Sequence, residues 1–136
     1  MLRFTAKHGI SPTLYDRITH ARGEAAFPPA FVAALRQEYL NNAARNLYTQ
    51  KQTAELLAGL ESHRIPVILL KGIHFLSAVY SNPACRAMSD LDFLIHREHT
   101  AQVQEIASTL GYTMRQNLWE GPAHHLPPLS RPGSPF

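Results

Sequence analysis

Between Ala30 and about Ser62 the chain runs without proline through helix-forming residues. Phe31, Leu35, Tyr39, Leu47, Leu56, Leu57 and Leu60 approximate an apolar stripe at helical spacing within it. One long helix, or two helices broken near Asn41-Asn42, satisfies that spacing, and its apolar positions are expected to be core. Residues 1–29 read differently, since Gly9, Pro12, Gly23, Pro28 and Pro29 punctuate them and leave room for at most one short helix, around Leu14 to Ala21.

After Arg64-Ile65-Pro66, the run Val67 to Leu70 predicts a short buried strand ended by Lys71-Gly72. Ile73 to Tyr80 then reads as a helix with Ile73, Leu76 and Tyr80 on one face, stopped by Ser81-Asn82-Pro83. Asp90 to Ile95 alternates, with Leu91, Phe93 and Ile95 on one face of a predicted strand and Asp90 and Asp92 on the other. Val103, Ile106, Ala107 and Leu110 mark a helix over Glu98 to Leu110, capped by Gly111 and followed by a strand at Tyr112 to Gln116. Five of the ten prolines fall between Pro122 and Phe136, so no regular element is expected there. The organisation expected is a peripheral segment over 1–29, an α/β core with N-terminal helices over 30–118, and a proline-rich tail over 119–136, either flexible or truncated.

Composition narrows the class. A chain of 136 residues with 45% hydrophobic and 17% charged content fits one folded domain. The net charge of +3 suits phosphate-containing ligands, yet no basic run appears, so support for nucleic-acid binding is weak. Cys85 is the only cysteine, which excludes an internal disulfide and a cysteine-based zinc site and fits a reducing, cytoplasmic setting. No apolar run is long enough to span a bilayer, and the N-terminus lacks the order of a secretory signal.

The acidic pair carries the chemistry. Two carboxylates one residue apart on a strand project from one face and can share a divalent metal. Upstream lie Lys71-Gly72 at the end of an apolar strand, Arg86 four residues before Asp90, and Ser89 beside it. Glycine permits close backbone approach to a phosphate, a helix start offers free amides, and Lys71 or Arg86 can balance phosphate charge. Taken singly these residues have plain structural readings: a solvated strand end for Asp-x-Asp, a strand-end lysine for Lys71, a tight turn for Gly72 and a loop cap for Ser89.

In combination, Ile65-Pro-Val-Ile-Leu-Leu-Lys-Gly72 and Arg86-Ala-Met-Ser-Asp-Leu-Asp-Phe-Leu-Ile-His96 resemble the core of the uncharacterised nucleotidyltransferase family, within the DNA polymerase β-like superfamily. The resemblance extends from near residue 30 through His124-His125-Leu126-Pro127-Pro128-Leu129. It implies a nucleotidyltransferase-like mixed sheet with flanking helices, Asp90 and Asp92 as catalytic metal ligands for Mg²⁺ or Mn²⁺, and Lys71, Gly72, Arg86 and Ser89 as nucleotide-binding residues. The implied reaction moves a nucleoside monophosphate group from ATP or another nucleoside triphosphate to an acceptor hydroxyl on a protein, a metabolite or an RNA end.

One departure is visible. Superfamily enzymes add a third carboxylate from a later strand, but Glu120 is the only acidic residue after Glu105, and Gly121-Pro122 follows it directly. This keeps a second reading open, in which the chain is a truncated or non-catalytic module that binds nucleotide, a protein or a second copy of itself through an exposed sheet edge. The eight histidines do not form a zincin motif, and nothing in the sequence pairs Cys85 with one of them as a nucleophile.

Overall fold

The computed structural model describes residues 2–114 and 126–133. Helices α1 (Leu2–Lys7), α2 (Ser11–His20) and α3 (Pro29–Ser62) precede β1 (Val67–Leu70) and α4 (Lys71–Ala78). A 3-10 turn at Pro83–Cys85 leads to β2 (Asp92–Ile95), and a second at Arg97–His99 to α5 (Thr100–Thr109), β3 (Thr113–Met114) and β4 (Leu129–Ser130). This is the α/β, nucleotidyltransferase-like class expected from the sequence. Among the described residues its strands form two separate two-stranded sheets, β1-β2 and β3-β4. The chain divides into two compact units, Met1–Gln50 with Leu69–Asp92, and Lys51–Ile68 with Phe93–Phe136.

The first unit holds more helix than the sequence predicts. Residues 1–29 carry α1, α2 and a 3-10 turn at Glu24–Ala26, where at most one short helix is expected. The punctuating residues act as boundaries: Gly9 takes φ +65°, so that the Ile10 N–H closes α1 onto the Thr5 carbonyl at 3.0 Å. Pro12 lies in the first turn of α2, where a missing N–H costs nothing. Helix α3 is unbroken, because Asn41 accepts from Gln37 on its exposed side and Asn42 donates to a distant loop, so neither competes for the helix backbone.

The buried stripe of α3 also differs from the apolar one. Leu47 is 65% exposed, while Asn42, Asn46, Thr49 and Thr53 are buried between Leu35 on one side and Leu56 and Leu60 on the other. Ile73, Leu76 and Met88, with Leu69 and Leu91 against them, form the apolar cluster of this unit.

In the second unit Leu56, Leu60, Ile65, Val103, Ile106 and Ala107 are buried. A Cβ on Gly59 would stand 2.8 Å from Ile106 Cγ2, so glycine lets α5 lie directly on α3 here. Gly111, at φ +83°, ends α5 as expected, with the Tyr112 N–H on the Ala107 carbonyl at 2.9 Å. The helix begins later than predicted because Arg97–His99 form a 3-10 turn, with Thr100 Oγ1 donating to the Arg97 carbonyl at 2.8 Å.

The proline-rich stretch, expected to hold no regular element, supplies β4, whose Leu129 and Ser130 pair antiparallel with Met114 and Thr113. Arg131 anchors it with a 2.7 Å ion pair to Glu55 and a guanidinium 5.7 Å from the Tyr112 ring centre. Of the predicted strand at Tyr112 to Gln116, Thr113–Met114 form a strand, Tyr112 precedes it, and residues 115 and 116 lie outside the described residues. Glu120, His124 and His125 lie outside the described residues.

Candidate nucleotide and metal site

Four consecutive carbonyls fix the loop that leads to the acidic pair. Asn46 Nδ2 donates to Pro83 O at 2.6 Å, Asn42 Nδ2 to Ala84 O at 2.7 Å, and Thr13 Oγ1 to Cys85 O at 2.9 Å. Arg86 O accepts from both Asn42 at 3.0 Å and Asn46 at 2.7 Å. Asn82 starts the turn by accepting from the Ala84 N–H and donating to Asp16 and Tyr39. A loop this enclosed must have its backbone groups paired, and side chains from α2 and α3 do the pairing.

Beyond the loop, β2 begins at Asp92, so Asp92 stands on the strand and Asp90 just ahead of it. The sequence pattern placed both on the strand. The cause is local: Ser89 Oγ donates to Asp90 Oδ1 at 3.3 Å, a side-chain bond that favours a bend over an extended ladder. Asp90 and Ser89 are exposed and the Asp92 side chain is 30% exposed, so both carboxylates reach solvent.

Lys71 meets this pair from the other side of the motif. Its Nζ lies 2.9 Å from Asp92 Oδ2. The hydrogen bond to Asp92, then the charges of Asp92 and Asp90, hold its ammonium above the ordinary lysine value. Lys71 and Gly72, expected to form a turn ending the strand, are instead the first residues of α4. The turn is made inside Lys71, whose φ of +49° is in the left-handed region that residues with a side chain rarely enter. Arg22, at φ +53°, and Arg64, at φ +56°, adopt it too, so at Lys71 it marks the abrupt turn from β1 into α4. Helix α4 ends at Ala78, before the predicted Tyr80, as Val79 leaves helical geometry at φ −121°.

Gly72 has a packing reason as well. A Cβ there would lie 2.9 Å from Met88 Sδ and 3.1 Å from its Cγ, so the buried Met88 rests on the helix backbone two residues before Asp90. Leu70, at the N-cap of α4, provides no side-chain cap for the first-turn amides.

Arg86 is the site residue the structure leaves apart from the carboxylates: among the described residues it makes no ion pair with Asp90 or Asp92, and its Nε is buried without a hydrogen-bond acceptor. Among the described residues no group of three histidine, cysteine, aspartate or glutamate side chains converges on a metal position, so the acidic pair stands without a third carboxylate there.

Cys85 is poorly suited to act as a nucleophile. It is buried, and burial, reinforced by the Asp16 carboxylate, pushes its thiol up to about 11. A chromogenic disulfide reagent is therefore expected to leave Cys85 unmodified in native buffer at neutral pH and to label it fully on unfolding. Rapid labelling of the native protein would show an accessible thiolate and overturn that reading.

Sequence reasoning takes Asn42 only as a candidate helix break and Asn82 as part of a helix stop, and it does not reach Asn46 or Thr13. The available signal was the interruption of an apolar helical register by polar residues at 42, 46, 49 and 53, the spacing of one helix face. A family model described as an uncharacterised nucleotidyltransferase matches residues 1–132, taking in α1, α2 and β4 as well as the motif. No curated protein and no solved structure gives a significant match. No helix among the described residues is long and apolar enough to cross a membrane.

Proposed function

Because the chain belongs to the uncharacterised nucleotidyltransferase family, we propose that it moves the nucleotidyl group of a nucleoside triphosphate to an acceptor hydroxyl, with Mg²⁺ held by Asp90 and Asp92. The observation that carries this reading is Lys71 at 2.9 Å from Asp92, with Asp90 also raising its proton affinity, at the junction of β1 and α4. Lys71 thus links the carboxylate pair to the start of α4, the place where carboxylate ligands for a metal and a cation for the phosphates would stand together.

The donor set suits the ion. Magnesium prefers hard oxygens, keeps several waters and is commonly held by one or two carboxylates together with substrate phosphates. When bound, it would neutralise phosphate charge and polarise the phosphoryl oxygens. Mn²⁺ would take the same oxygens.

The remaining work falls to the chain. The start of α4, to which Leu70 gives no side-chain cap, would face the phosphates with its positive dipole end, and Gly72 keeps a side chain out of that approach. Lys71 can turn from Asp92 to a phosphate oxygen, and Arg86, which makes no ion pair with Asp90 or Asp92 among the described residues, would balance a second phosphate charge. Ser89 holds Asp90. In the transfer the acceptor oxygen bonds to the α-phosphorus, the bond to the β-phosphate oxygen breaks, pyrophosphate leaves with that electron pair, and the hydroxyl proton passes to water. Catalysis here is positioning and charge stabilisation.

The test is calorimetric titration of ATP and GTP into the folded chain with Mg²⁺, with Mn²⁺ and with chelator, repeated on Lys71→Asn. Nucleotide should bind only with metal. Asparagine tolerates a positive φ and the lost ion pair is exposed, so the melting temperature of Lys71→Asn should hold or rise. Its nucleotide affinity should fall about tenfold, the roughly 1.4 kcal/mol of one charge-assisted hydrogen bond. Absence of metal-dependent binding by folded wild type would overturn the assignment.

A further inference from the structure

We propose that Asn42 and Asn46 of α3 are positioning residues, a two-residue latch that holds the Pro83–Arg86 loop so that Arg86 is presented to the nucleotide. The inference rests on the nucleotide reading of Arg86 and extends it to residues that touch neither metal nor substrate.

The helix itself shows how unusual these positions are. Its buried face is apolar at Leu35 and again at Leu56 and Leu60, but polar at Asn42, Asn46, Thr49 and Thr53 between them. Asn46 is 0% exposed and Asn42 5%. Burying an amide is costly unless its hydrogen bonds are made, and here they are made to loop carbonyls that an apolar residue would leave unpaired. What an asparagine adds is direction, because its two amide hydrogens fix where the bonded carbonyls stand.

Both asparagines use that property on one loop. One turn of helix apart, they together reach Pro83 O, Ala84 O and Arg86 O, and their donors meet on the Arg86 carbonyl at 3.0 and 2.7 Å. That carbonyl belongs to the residue whose side chain the proposed site uses. Gluing the loop down anywhere would satisfy a packing need; two donors converging on the backbone of Arg86 fix the origin of its side chain. Positioning groups of this kind must hold a site residue to within a fraction of an ångström to be effective.

The latch has a direct probe in its own backbone. The amides of Cys85 and Arg86 bond to Asn82 O and Pro83 O, and that of Ala84 to Asn82 Oδ1, so all three should exchange slowly with solvent while the loop is held. The experiment combines site-resolved hydrogen exchange at these amides with MgATP titration of Asn46→Leu, using Asn42→Ser as the milder variant should Asn46→Leu not fold, and each also in an Arg86→Ala background. Exchange should quicken at 84–86 but not at the α5 amides, and MgATP affinity should fall about tenfold, the roughly 1.4 kcal/mol of one charge-assisted hydrogen bond lost from a displaced Arg86. In the Arg86→Ala background the same substitution should change affinity less than about twofold, because a residue acting through Arg86 has nothing left to act on.

Unchanged exchange at 84–86 would overturn the latch. Quickened exchange with unaltered MgATP affinity, or an equal loss of affinity with and without Arg86, would make the asparagines structural only and overturn the positioning role. Wild type that fails to bind nucleotide removes the site reading and the positioning role together, while quickened exchange in Asn46→Leu alone would then still establish the latch.

Discussion

Asp90→Asn/Asp92→Asn is expected to abolish metal-dependent nucleotide binding and to lower pyrophosphate-releasing turnover by at least about 100-fold, since Lewis-acid charge stabilisation is worth several kcal/mol. The amide keeps the shape of each side chain while removing the charge a magnesium ion needs, so the fold should survive. Both carboxylates are solvent-reaching, and the Lys71–Asp92 pair joins a side chain 69% exposed to one 30% exposed, a pairing that contributes little to stability.

The single variants should separate the two residues. Asp92 is fixed by its strand and by Lys71, whereas Asp90 lies between the bend at Ser89 and the strand and takes a 3.3 Å hydrogen bond from Ser89 Oγ. Asp92→Asn should therefore approach the double variant, with Asp90→Asn intermediate. Titration with and without Mg²⁺, beside a melting curve for each variant, reads this directly. Full metal-dependent binding by the folded double variant would remove Asp90 and Asp92 from the site.

The residues that could be read in advance are those whose role is written in local spacing. Strand β1 matches its predicted bounds, because four consecutive apolar residues behind a proline leave few other solutions, but not its predicted burial, since Ile68 is 60% exposed and Val67, Leu69 and Leu70 are only half-buried. The Gly111 cap follows from its place after a periodic run, and the order Lys71-Gly72, Arg86, Asp90, Asp92 depends on sequence adjacency alone. Long-range choices were not legible. That Asn42 and Asn46 face inward is decided by a loop some forty residues away, and an apolar count therefore drew the stripe through the exposed Leu47 instead. The strand at Leu129–Ser130 depends on Arg131 finding Glu55 and Tyr112, which no local pattern announces. The left-handed Lys71 is likewise a tertiary decision, imposed where β1 must turn at once into α4.

Leu76→Ala should be the most damaging single change to the site that touches none of its polar groups. Leu76 is 2% exposed and packs with Ile73 and Met88, with Leu69 and Leu91 against them. Leu69 lies two residues before Lys71, Leu91 lies between the two aspartates, and Met88 rests on Gly72, so this cluster fixes the spacing across which Lys71 meets Asp92. Truncating a buried leucine to alanine costs about 2–5 kcal/mol, the transfer loss plus the cavity left behind. Ile106→Ala, a change of the same class at a residue 6% exposed in the second unit, should destabilise comparably. The two should part in binding. At a temperature where both variants remain folded, Leu76→Ala should weaken MgATP binding several-fold and Ile106→Ala should not, because only the former lets Leu69, Met88 and Leu91 relax towards the gap. Equal effects on affinity would mean that the Lys71–Asp92 geometry is held by something other than the apolar cluster beneath it.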